Sequence, residues 1–176
     1  MVASFTPAKA LHLFLEAAAQ IGKAVPAVRF VMAGDGSLRP QLEALAEKLG
    51  IASRVRMLGW RRDVPELLGA FDVFLLTSLW EGLPRSLVEA FLSGVPVVAS
   101  HVDGVGELVE DGKNGFLAPP GDVDSLASSV VRLLTNESLR QTMANQARAS
   151  VGEFSAEKMV KDYSDLYEQV SAGTRC

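Results

Sequence analysis

The sequence predicts an α/β fold: a doubly wound parallel sheet of about six strands, with flanking helices and extra C-terminal helices. Short apolar runs at 28–32, 72–78 and 97–99 are continuous rather than alternating, as in strands buried on both faces. Segments with helical apolar spacing separate these runs. The turns between them are short and often hold glycine, as at Gly34, Gly59 and Gly94.

Each element follows from its residues. Residues 2–5 read as a first strand, and 8–21 as a helix burying Leu11, Phe14, Leu15 and Ala18. The run at 28–32 is a second strand ending in Ala33-Gly34-Asp35-Gly36. A helix over 38–49 is closed by Gly50, where a left-handed residue relieves the last carbonyls. Residues 55–58 form a third strand, 64–70 a short helix and 72–78 a fourth strand. Leu87, Val88, Phe91 and Leu92 then repeat at helical spacing until Gly94, with Pro84 suited to a first helical position. Strands follow at 97–99 and 115–118. Three helices close the chain: 123–134 on Leu126, Val130 and Leu133; 139–149 on Leu139 and Met143; and 156–170. The last carries Met159, Val160, Tyr163, Leu166, Tyr167 and Val170 on one face, the pattern of a helix packed on a core.

Size and composition narrow the function. A chain of 176 residues fits one domain, expected over 1–172 with a flexible tail at 173–176. A net charge of −4 without a basic stripe gives no footprint for nucleic acid. The single cysteine, Cys176, excludes a disulfide scaffold and is consistent with a reducing, cytoplasmic setting. No apolar run approaches the ~20 residues of a membrane span, and the start lacks the form of a signal peptide.

The chemistry concentrates in Trp80-Glu81-Gly82-Leu83-Pro84-Arg85-Ser86-Leu87-Val88-Glu89-Ala90. Glu81 falls in the turn after the fourth strand, and Glu89 about one and a half turns into the next helix. Between them the helix start offers the unpaired N–H groups of Arg85 and Ser86, an anion cradle. Eight residues at ~1.5 Å rise span at most roughly 12 Å, the length of a sugar–diphosphate–ribose unit. Carboxylates accept from paired hydroxyls and helix amides take phosphate oxygens. The same spacing also suits a turn acid and an unrelated solvated helix acid.

The surrounding blocks resemble the donor-binding half of group 1 (family 4) retaining glycosyltransferases of the GT-B fold. Their E-x7-E motif, opening E-G and closing E-A, is matched from Glu81 to Ala90. In order follow Gly94-Val95-Pro96-Val97-Val98-Ala99-Ser100, Val102-Asp103-Gly104 with Glu107, Asp111-Gly112-Lys113-Asn114-Gly115 and Pro120-Gly121-Asp122. The resemblance covers nearly the whole chain and is specific as a set. It implies a Rossmann-like domain that binds a nucleotide-sugar such as a UDP- or GDP-sugar, transfer with retention of configuration, and no cofactor or obligatory metal. It also implies an acceptor-binding N-terminal domain that this chain lacks, so the segment alone is expected to bind donor weakly and transfer nothing. Peripheral membrane association of the longer protein is compatible with it.

The family places an arginine and a lysine five apart after the first strand to clamp the diphosphate. Here Lys9 matches the lysine, while Ser4 stands at the arginine position. Lys9 is thus a catalytic candidate beside Glu81, or else a solvated helix-start lysine, and Arg85 is a candidate replacement cation. By the same resemblance Glu81 orients the sugar and Glu89 holds the ribose, with Gly82, Leu83, Arg85 and Ser86 between them. Gly34 and Gly36 line the donor cleft unless they serve a tight turn alone; as a dinucleotide loop, a third reading, they lack the third glycine, replaced by Arg39. Gly59 and Trp60 follow the third strand where the base is held, and Trp60 either stacks on it or packs internally. His101, at a strand end, is a possible sugar contact. Glu107 is expected to support the Asp103-Gly104 loop. Asp122-Val123-Asp124 looks like a metal-binding D-x-D, yet it opens a helix, so Asp122 reads as its N-cap. A non-catalytic nucleotide-sugar-binding or interaction module on the same fold is the alternative function.

Overall fold

The structure is a computed structural model that describes residues 1–152 and 156–173. Two parallel blocks form its sheets. In the first, β1 (Phe30–Ala33) pairs with β2 (Val55–Gly59), Phe30 opposite Val55. In the second, β3 (Phe74–Leu76), β4 (Val97–Ser100) and β5 (Gly115–Ala118) lie side by side in that order. β3 and β4 are buried at every position, which is why their sequence shows no alternation.

Helices link the strands: α1 (Leu11–Ala24), α2 (Arg39–Lys48), α3 (Val64–Gly69), α4 (Arg85–Leu92), α5 (Val105–Leu108) and α6 (Val123–Thr135). α7 (Glu137–Ser150) and α8 (Ala156–Gly173) complete the chain. One continuous core joins both blocks, with Phe5, Phe74 and Phe91 fully enclosed. The expected stripes of α1, α6 and α7 are buried within it, and Gly50 takes the left-handed conformation after α2.

Four expectations need correction. The first strand contracts to a single bridge, Val2 opposite Ala33; the Phe5 N–H still reaches the Asp35 carbonyl in the same register, but Gly34, at φ 132° with its N–H on the Gly59 carbonyl, interrupts the ladder. The sheets therefore hold five strands plus this bridge. α1 starts at Leu11 rather than at residue 8, since Ala10 is left-handed at φ 44°. The carbonyls of Ala8 and Lys9 also accept from the Leu79 N–H and the Thr77 hydroxyl, drawing Pro7–Lys9 into a separate 3₁₀ turn. Pro84 precedes α4 with ψ 95°, so it is the cap residue and not the first helical one.

The apolar stripe of α8 is not packed on this core. Met159, Val160, Tyr163, Leu166, Tyr167 and Val170 are all more than half exposed. Helical periodicity reveals an apolar face and is silent on what covers it. Of the expected tail, Gly173 ends α8 and residues 174–176 lie outside the described residues. No helix among the described residues is long and apolar enough to cross a membrane.

Asp122 does cap α6: its carboxylate accepts the Ser125 N–H at 2.9 Å and the Ser125 hydroxyl at 2.7 Å. The Ser125 amide, then its hydroxyl, hold the Asp122 carboxyl below the ordinary carboxylate range. A folded value below the unfolded one gives stability that is present above the unfolded pKa and is lost as pH falls through the folded one. Asp122→Ala should therefore lower the melting temperature at neutral pH, with the difference from the unaltered chain shrinking below pH 4, the ordinary aspartate range; equal losses at both pH values would contradict the cap.

Candidate functional site

The C-terminal ends of the strands gather the candidate residues along one open edge. β3 runs into Thr77 and Ser78, both fully buried, and the turn 79–84 then leads to α4. Lys9 reaches this turn from the 3₁₀ segment pinned to β3. Its Nζ donates to Glu81 Oε1 at 2.6 Å, and Ser78 Oγ donates to the same oxygen at 2.6 Å. The Glu81 side chain is 8% exposed and that of Lys9 22%. A carboxylate so enclosed needs charged or hydrogen-bonding partners, and these two supply them. Lys9 is therefore no free solvated lysine.

Beyond the pair, α4 begins without a side-chain cap. The Pro84 carbonyl takes the Leu87 N–H, and among the described residues no protein acceptor meets the N–H groups of Arg85 or Ser86. Around this helix start Gly82, Leu83, Arg85 and Glu89 are exposed and Ser86 is half-buried. The Arg85 guanidinium has no partner among the described residues. Two free amides, a helix N-terminus and nearby cations favour an anion.

The neighbouring loops are locked to this turn by close backbone approach. A Cβ on Gly104 would overlap the Gly82 carbonyl oxygen and stand 2.9 Å from its carbon. At the far end, Gly34 sits at φ 132° with its N–H on the Gly59 carbonyl at 2.8 Å, and a Cβ there would overlap the Ala3 carbonyl. A Cβ on Gly36 would lie 2.5 Å from the Phe5 oxygen. The glycine pair thus has a packing reason of its own, and Asp35 between them is held by Arg39 at 3.0 Å.

Trp60, just beyond Gly59, is 74% exposed, so it does not pack internally. His101 is exposed at the end of β4, its Nε2 3.0 Å from where a Gly106 Cβ would sit. Glu107 is exposed and makes no bond to the Asp103-Gly104 loop, which the Gly104–Gly82 contact secures instead. Sequence reading missed Ser78, Thr77 and Gly104. A polar pair ending an otherwise apolar strand was the available signal for the first two. A cavity of about 510 Å³, lined in part by Phe14, Ile21, Phe30, Val73 and Leu134, contains none of these site residues.

A parallel sheet with flanking helices and a polar site at its strand ends is a Rossmann-like arrangement, and its solved neighbours are the GT-B glycosyltransferases. It superposes on HepE from Anabaena, solved with UDP and glucose, with a TM-score of 0.85 and 32% identity, covering 97% of this chain and 47% of that one. A mutant of TarM from S. aureus, in a complex that includes UDP, gives a TM-score of 0.89 at 27% identity, covering 94% of this chain and 34% of that one. In sequence, the chain is 36% identical over 170 residues to the UDP-Gal:alpha-D-GlcNAc-diphosphoundecaprenol alpha-1,3-galactosyltransferase of Escherichia coli, across 95% of this chain and 44% of the relative. The family model described as glycosyl transferases group 1 matches residues 1–150. The chain belongs to that family. It spans less than half the length of this curated relative.

Proposed function

We propose that this chain is the donor-binding half of a retaining, cytoplasmic glycosyltransferase that uses a nucleotide-sugar. The observation that carries the reading is the Lys9–Glu81–Ser78 cluster beside the free amides of Arg85 and Ser86. In the reaction, the bond between the anomeric carbon and the diphosphate oxygen breaks. The acceptor hydroxyl forms its bond to that carbon on the same face, and its proton leaves with the departing diphosphate. Lys9 and the amides of Arg85 and Ser86 stabilise the negative charge that develops on the leaving group. Glu81 accepts from sugar hydroxyls and Glu89 from the ribose. Trp60 and Gly59 border the base; Gly34, Gly36, Gly82, Leu83 and His101 complete the edge.

This edge supplies one wall of a cleft. The opposite wall belongs to an acceptor-binding domain, and the uncovered apolar stripe of α8 supports further protein packing against this half. Solved relatives holding UDP support a nucleoside diphosphate as the common part of the ligand.

Titration calorimetry of the chain with UDP, GDP, UDP-glucose and GDP-mannose tests the proposal. Saturable binding that Glu89→Ala weakens by about tenfold or more, the worth of a charged hydrogen bond, is expected. Absence of binding at millimolar ligand would favour the non-catalytic interaction module.

A further inference from the structure

We propose that Ser78 is a positioning residue for the Glu81 carboxylate, holding it in place when the Lys9 ammonium turns from Glu81 to an incoming diphosphate. The inference rests on the donor-site reading and deepens it.

Glu81 Oε1 carries two donors of different character. Ser78 is fully buried at the rigid end of β3 and has a single side-chain torsion to fix. Lys9 is more exposed and carries a long flexible stem. The lysine is therefore the exchangeable donor and the serine the fixed one. Oε2 accepts from neither and is the oxygen left for a ligand hydroxyl. When the ammonium turns towards phosphate, an enclosed carboxylate without a second donor would swing out to water. The Ser78 hydroxyl prevents this and keeps Oε2 aimed.

Three consecutive residues share the task of organising the pair. Thr77 holds the Lys9 carbonyl at 3.0 Å, Ser78 holds Glu81, and the Leu79 N–H holds the Ala8 carbonyl at 2.9 Å. Ser78 alone acts on the carboxylate, so its removal should be felt by the sugar and not by the nucleotide.

The test compares UDP-glucose with UDP, and GDP-mannose with GDP, on the unaltered chain, Ser78→Ala and Ser78→Thr. Ser78→Ala should reduce affinity for the sugar nucleotide about tenfold more than for its parent nucleotide, the worth of a hydrogen bond to a charged group. Ser78→Thr, which keeps the hydroxyl, should restore most of the ratio. A merely structural serine would lower both affinities in parallel with the melting temperature, and an unchanged ratio overturns the proposal. Should Ser78→Ala fail to fold, Ser78→Cys preserves volume with a weak donor, and the same ratio decides. If the unaltered chain binds no nucleotide at all, the donor site itself is refuted and this role with it; if it binds and the ratio stays constant, only the role of Ser78 falls.

Discussion

Lys9→Ala should reduce affinity for nucleoside diphosphates and their sugars by one to two orders of magnitude, while also destabilising the fold. The two effects have separate origins. A charge-assisted bond to phosphate contributes about 1.5–3 kcal/mol, and each ~1.4 kcal/mol is tenfold in affinity. By the family resemblance Ser4 occupies the expected arginine position, which leaves Lys9 and Arg85 as the side-chain cations proposed for the diphosphate. Removing the lysine also leaves Glu81, 8% exposed, with only the Ser78 hydroxyl. Orphaning an ionised group costs about 1–3 kcal/mol here, short of the full buried-pair penalty because Lys9 itself is partly solvated. Calorimetry measures the first effect and thermal denaturation the second. A drop in melting temperature with undiminished affinity would reduce Lys9 to a purely structural partner of Glu81.

Gly104→Ala should disable ligand binding through a backbone contact that itself involves no charged group. Gly104 has φ −63° and ψ −6°, a conformation open to alanine, so no torsional strain arises from the exchange. The obstacle is the Gly82 carbonyl, which a Cβ would overlap, and backbone cannot rotate aside as a side chain can. Either the turn from Glu81 to Pro84 shifts or the fold loses about 1–3 kcal/mol, typical of overpacking. In the first case the Glu81 carboxylate and the Arg85 and Ser86 amides move together, and affinity should fall at least tenfold, as it does when an oriented charged hydrogen bond is lost. Gly69→Ala and Gly152→Ala, both away from the site, are the controls, since a Cβ at either meets nothing within 4 Å. If Gly104→Ala binds as well as these, the two loops do not shape the site together.

The sheet was legible because β3 and β4 are buried on both faces and so appear as continuous apolar runs. The glutamate pair and the free amides were legible because both follow from local helix geometry. What escaped depends on contacts distant in sequence. Ser78 and Lys9 meet on one oxygen although 69 positions separate them, from 9 to 78. Gly104 is constrained by Gly82 and not by its own torsions. Residues 2–5 have the composition of a strand, yet their ladder is interrupted opposite Gly34, whose N–H turns to the Gly59 carbonyl. α8 has a faultless amphipathic pattern and yet its apolar side chains are more than half exposed, because period alone does not name a partner.

The bond between Lys9 and Glu81 also bears on how quickly a ligand arrives. Its two charges cancel at close range, and the chain as a whole carries −4. An approaching anion therefore meets no attractive long-range field from this pair, and the net negative charge adds a weak repulsion that salt screens. On the proposed donor reading, selection for a diphosphate would come only on touching, when phosphate oxygens compete with the carboxylate for the ammonium.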